Sequence, residues 1–93
     1  MANGKGTATV DFGTGNNLAT VAVTGQASID GTAHTEAWMM GDATAAHNAY
    51  EHSIAPLTLR CGDIVAGTGF TVYASSTEMS FVGQFIVHWV WST

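Results

Sequence analysis

Apolar and polar residues alternate one for one over much of this chain. Across residues 6–12 the order Gly-Thr-Ala-Thr-Val-Asp-Phe puts Ala8, Val10 and Phe12 on one side. Thr7, Thr9 and Asp11 fall on the other. A period of two is that of a strand with one buried face. Residues 13–17, Gly-Thr-Gly-Asn-Asn, form a turn cluster. Alternation returns over residues 18–24, with Ala19, Val21 and Val23 together on the apolar side. Gly25 and then Asp30-Gly31 interrupt the chain again. Residues 33–40, Ala-His-Thr-Glu-Ala-Trp-Met-Met, are short for a helix and read as a strand ended by Gly41 and Asp42.

Residues 43–53 differ in kind, being rich in Ala and other helix formers. Asp42 is placed to cap a short helix there, and a long loop fits equally well. Residues 54–61 read as a strand, with Leu57, Leu59 and Cys61 alternating with Thr58 and Arg60. Pro56 marks that strand as an edge or as its entry. Gly62-Asp63 reads as a turn into Ile64-Val65, and Gly67-Thr68-Gly69 as a turn into the strand Phe70-Thr71-Val72-Tyr73. The last strand spans residues 82–91. One face holds Gly83, Phe85, Val87, Trp89 and Trp91; the other holds Val82, Gln84, Ile86, His88 and Val90. The first face is more aromatic and is assigned to the core. Six or seven short strands spaced in this way predict an all-β fold, an antiparallel β-sandwich. With no repeat and no linker, residues 1–93 read as one domain.

Composition changes the picture in one respect. Only 10% of the 93 residues are charged, against about 25% in an ordinary soluble domain. Lys5 and Arg60 are the only lysine and arginine. A surface of Thr, Ser, Gly, Asn and Ala suits packing against neighbours, because interface centres are depleted of charge. Small domains need staples, and the single cysteine, Cys61, cannot form an intrachain disulfide. Oligomerisation or a metal is the expected substitute. A net charge of −5 with two basic residues predicts no nucleic-acid partner and no anionic membrane partner. The Met1-Ala2-Asn3-Gly4-Lys5-Gly6 start lacks an apolar stretch, and no run reaches membrane-spanning length. Synthesis in a cytoplasm, without membrane insertion, is the expectation.

Candidate chemistry is sparse. Four histidines, His34, His47, His52 and His88, raise a metal hypothesis. His47 and His52 have a ligand-like spacing with Glu51 between them, but no second pair matches it. The plainer reading makes them loop residues bonded to backbone. Cys61 lies in no nucleophile motif and reads as a small apolar group. The carboxylates are scattered singly, and Gly67-Thr68-Gly69 lacks the helix and third glycine of a dinucleotide loop. The expectation is therefore no catalytic residue, no metal and no cofactor. A metal-dependent enzyme using His47 and His52 is the remote alternative. Contact residues are sought instead in the 42–53 loop, at His47, Tyr50 and His52, and in the 74–81 loop, at Met79 and Phe81. Trp91, close to the end of the chain, joins them.

The C-terminal third, Val65-Ala66-Gly67-Thr68-Gly69-Phe70-Thr71-Val72-Tyr73-Ala74 followed by Val82-Gly83-Gln84-Phe85-Ile86-Val87-His88-Trp89-Val90-Trp91, resembles the end of H-type lectin domains. That resemblance implies a small H-type-lectin-like β-sandwich, a homotrimer and binding of N-acetylgalactosamine-type sugars. The charged residues such sugar sites use are mostly missing here. The whole chain is also similar to short tailed-bacteriophage proteins, through residues 5–13, Val21-Ala22-Val23-Thr24-Gly25-Gln26, Glu36-Ala37-Trp38, Ala45-Ala46-His47, Glu51-His52, Gly67-Thr68-Gly69-Phe70-Thr71 and Trp89-Val90-Trp91. This second resemblance implies a virion structural protein made in the host cytoplasm. It would be a trimeric tail or fibre attachment module, or alternatively a capsid decoration protein. Its partners would be other virion proteins, with a host-surface glycan as candidate ligand.

Overall fold

The computed structural model describes residues 2–93. Six strands and one short helix follow in the order β1 (Asn3–Asp11), β2 (Leu18–Val23), β3 (His34–Trp38), α1 (Ala49–Ile54), β4 (Thr58–Val65), β5 (Gly69–Ser75) and β6 (Gln84–Ser92). They form two antiparallel three-stranded sheets, ordered β1-β6-β3 and β2-β5-β4. The result is the all-β sandwich expected from the alternation. At its open sides β1 lies beside β2, and β3 beside β4.

The central strand β6 buries the face assigned to it: Phe85, Val87, Trp89 and Trp91 all lie in the core. Its partner β1 matches those residues by size. Gly4 lies opposite Trp91, Gly6 opposite Trp89, Ala8 opposite Val87 and Val10 opposite Phe85. A Cβ on Gly4 would stand 2.5 Å from the Trp91 indole nitrogen, and one on Gly6 2.7 Å from Trp89 Cζ2. The two glycines supply the room that the indoles fill, as close packing requires. Trp91 donates its indole N–H to Gln26 Oε1 at 3.0 Å. The buried Trp89 N–H finds no acceptor among the described residues, at a cost of roughly 1–3 kcal/mol against a satisfied group. From the second sheet come Ala19, Val23, Phe70, Val72 and Ala74. Phe70 meets Trp89 edge-on, with ring centres 5.6 Å apart.

Several expectations are corrected. The first strand starts at Asn3, so the pairing with β6 takes in Lys5. The strand expected over 54–61 begins at Thr58, after Pro56, and runs on through Gly62-Asp63 to Val65. That dipeptide is not a turn. The pairing with β5 shifts register between Gly62 and Val65, and Asp63 takes φ 52°, which marks a bulge. The helix in the 43–53 stretch is capped by Asn48, not Asp42. Trp91, read as peripheral, is 2% exposed, because Gly4 opens a place for it.

One backbone approach is unusually close. A Cβ at Gly69, the first residue of β5, would stand 1.7 Å from the Val23 carbonyl oxygen. Only glycine fits there.

Antiparallel pairing sorts the connections into two ends. Residues 12–17, 39–57 and 76–83 gather at one end; residues 24–33 and 66–68, with Ala2 and Thr93, lie at the other.

Candidate functional site

Helix α1 organises the first of these ends. Asn48 Oδ1 accepts from the Glu51 N–H, and Glu51 Oε1 accepts from the Asn48 N–H, each at 2.9 Å. This reciprocal capping box starts a helix too short to stand alone. The helix occupies ground that β3 leaves free. β3 pairs with β6 only as far as Trp38 opposite His88. The next β6 donor on that side, the Ile86 N–H, is taken by His52 Nε2 at 3.0 Å. His52 Nδ1 in turn donates to the Asn48 carbonyl at 3.0 Å. His52 therefore sits as the neutral Nδ1–H tautomer, 2% exposed, and extends the sheet edge with its ring.

Phe85 lies beneath both His47, just before the helix cap, and His52, within the helix. His47 stacks on it at 4.0 Å between ring centres, and His52 is tilted against it at 5.1 Å. Phe12, Phe81 and Phe85 close an aromatic triangle, with centres 5.6–5.9 Å apart. Phe81 is fixed there by paired backbone bonds with Asn16, so it belongs to the core and not to a free loop. Above these rings opens a groove of about 270 Å³, lined among others by His47, Ile54, Pro56, Met79, Phe81 and Val82. Ile54, Met79 and Val82 are exposed, so its rim is apolar.

Five of the six contact candidates thus come to one end of the sandwich, in different roles. His47, Met79 and Phe81 line the groove. Tyr50 projects from α1, 71% exposed. His52 points away from the groove into the sheet edge, and Trp91 is buried at the opposite end; neither is open to a partner. Phe85, Ile54 and Val82 were not among the candidates. In the sequence Phe85 and Val82 read as alternating faces of a strand, and Ile54 as the start of one. The apolar residues flanking the Asn-x-x-Glu capping signature were the available clue.

The titratable groups are engaged with the chain itself. His47 Nε2 donates to the Val82 carbonyl, and its Nδ1 pairs with Glu51 Oε2 at 3.2 Å. All four ring nitrogens of His47 and His52 therefore have protein partners, and the rings do not converge. His88 pairs with Asp42 at 2.6 Å. No group of three or more His, Cys, Asp or Glu side chains is arranged for a metal among the described residues. Burial pushes the Cys61 thiol up, which keeps it protonated and unreactive near neutral pH.

Glu51 is the group whose titration the helix feels. The Asn48 N–H, and next the His47 ring, hold its carboxyl below the usual 4.5. A lowered carboxyl pKa stabilises the folded form fully above the ordinary glutamate range. That contribution is lost as pH falls through the lowered value. The Glu51 carboxyl is expected to titrate below 4.5 by NMR, with α1 fraying over the same pH range. Glu51→Gln is expected to remove that acid-side dependence. A midpoint at or above 4.5 would contradict the capping role.

No protein-family model, curated protein or solved structure matches the chain.

Proposed function

We propose that this chain is a non-enzymatic virion structural protein, a homotrimeric, lectin-like attachment module of a tail or fibre. The observation that carries the attachment role is the apolar end built around α1. Tyr50, Ile54, Met79 and Val82 stand exposed there together, on a chain with only two basic residues. Clustered exposed apolar side chains mark contact surfaces. The resemblance to short phage proteins supplies the virion setting. Threefold multiplicity converts weak contacts at such an end into avidity.

The test is quantitative mass spectrometry of purified particles of the encoding virus, with light scattering on the isolated chain. A handful of copies per particle and a mass three times 9.7 kDa are expected. Copies in the hundreds would make it a capsid decoration protein instead. Absence from the particle would overturn the reading. A glycan array with Tyr50→Ala as control tests whether the apolar end takes a host sugar or a protein.

A further inference from the structure

We propose that the outer face of the β1-β6-β3 sheet is where copies of this chain associate, with Lys5 of one copy meeting Glu36 of the next. The proposal rests on the homotrimer of the reading above and names its surface.

The strand register sets Lys5, Val90 and Glu36 in one row across this face, with Val90 in the middle. Strands lie about 4.8 Å apart, so Lys5 and Glu36 are roughly 10 Å apart across β6. Within one chain the two charges do not pair, and Val90 stands between them. Among the described residues the ion pairs are His47–Glu51 and His88–Asp42, and Lys5 and Glu36 belong to neither. A cation, an apolar centre and an anion in a row form a self-complementary pattern. A rotation axis parallel to β6, in front of the face, keeps height and brings the left side of one copy to the right side of another. Each Lys5 then approaches a Glu36, and the Val90 side chains converge on the axis. With three copies around the axis, the β1 side of one meets the β3 side of the next, and the pairing occurs three times. An axis lying across the strands would set β1 on β1 and bring Lys5 to Lys5, so charge selects the first arrangement.

The neighbouring row agrees. It reads Thr7, His88, Trp38, and the half-exposed Trp38 ring stacks on His88. The rotation lays that ring on Thr7 of the next copy. Two shallow hollows, of about 380 and 350 Å³, adjoin these rows and offer seats for side chains of the neighbour. The other sheet differs. Its corresponding row is Thr20, Tyr73, Arg60, and its acid, Asp63, is already engaged by the Tyr73 hydroxyl.

The experiment is light scattering over a concentration series on the wild-type chain, Lys5→Glu, Glu36→Lys, the double variant and Val90→Asp, with far-UV circular dichroism to confirm folding. Both charges are exposed, so the single reversals are expected to fold. Each should weaken association by at least about tenfold, and the double variant should recover to within about threefold of wild type. Val90→Asp should give a folded monomer. A monomeric wild type, single reversals that associate like wild type, or a double variant without recovery would each overturn the proposal. Trimers that persist in the single reversals would move the interface elsewhere while leaving the virion reading to its own test, the copy number in particles.

Discussion

Gly69→Ala is expected to destabilise the fold severely. The added methyl would lie 1.7 Å from the Val23 carbonyl oxygen and 2.7 Å from its carbon. Both obstacles are backbone, so no rotamer change relieves them. Val23 pairs with Phe70 in the ladder between β2 and β5, and the Gln26 N–H donates to the Thr68 carbonyl at 2.8 Å. Making room means parting the two strands and losing both contacts at the end where Phe70 packs on Trp89. Ordinary overpacking costs about 1–3 kcal/mol. A rigid backbone clash adds ladder bonds to that, for a loss of at least about 3 kcal/mol out of a typical total of roughly 5–15. Soluble yield, circular dichroism and urea unfolding read the outcome. Gly31→Ala is the control, since a Cβ there meets nothing within 4 Å, and it should change stability by less than about 0.5 kcal/mol. A Gly69→Ala chain that unfolds near the wild-type urea midpoint would refute the close approach.

Phe85→Ala is expected to cost about 3–5 kcal/mol, the range for emptying a buried aromatic site. Phe85 is 1% exposed and is touched by four rings, Phe12, Phe81, His47 and His52. Its loss removes the floor on which α1 rests, so the damage extends to the groove. Urea unfolding should show a much lower midpoint. Hydrogen exchange at the Ile86 amide should also accelerate beyond the global change, because His52 loses the ring that holds it in place. Phe85→Leu keeps most of the volume and should cost about half as much. Equal exchange acceleration at Ile86 and at Val72, in the other sheet, would show that α1 does not depend on Phe85 in particular.

The features legible in the sequence were those encoded by near neighbours. Alternation marked β1, β2 and β6, and the aromatic side of β6 was correctly assigned to the core. What escaped was set by residues far apart in the chain. Trp91 read as peripheral because it lies near the chain end, whereas Gly4, across the sheet, gives it a cavity. Phe81 read as a loop contact because nothing local shows that Asn16 pins it. Gly62-Asp63 has turn chemistry, and only pairing with β5 makes it a bulge. The helix cap has a local signature, since Asn48 and Glu51 have the capping-box spacing, but Asp42, a cap-type residue at the start of the Ala-rich stretch, competes with it in the sequence. At the site, the loop was located correctly and its division of labour was not. His47 and His52 look alike in sequence, and one lines a groove while the other completes a sheet.

The placement of β6 has a consequence for how the chain is made. Its central position between β1 and β3 is filled by the strand that leaves the ribosome after the other five. The β2-β5-β4 sheet can form while synthesis continues. β1 and β3 must wait, each with an unpaired edge and the first with two glycines where indoles will later sit. Nascent strands waiting in this way are open to pairing with the wrong chain. On a crowded polysome, the nearest edges belong to identical neighbours at the same stage. Slowing translation just before β6 should therefore raise the aggregated fraction more than slowing it just before β2, when β1 alone is exposed.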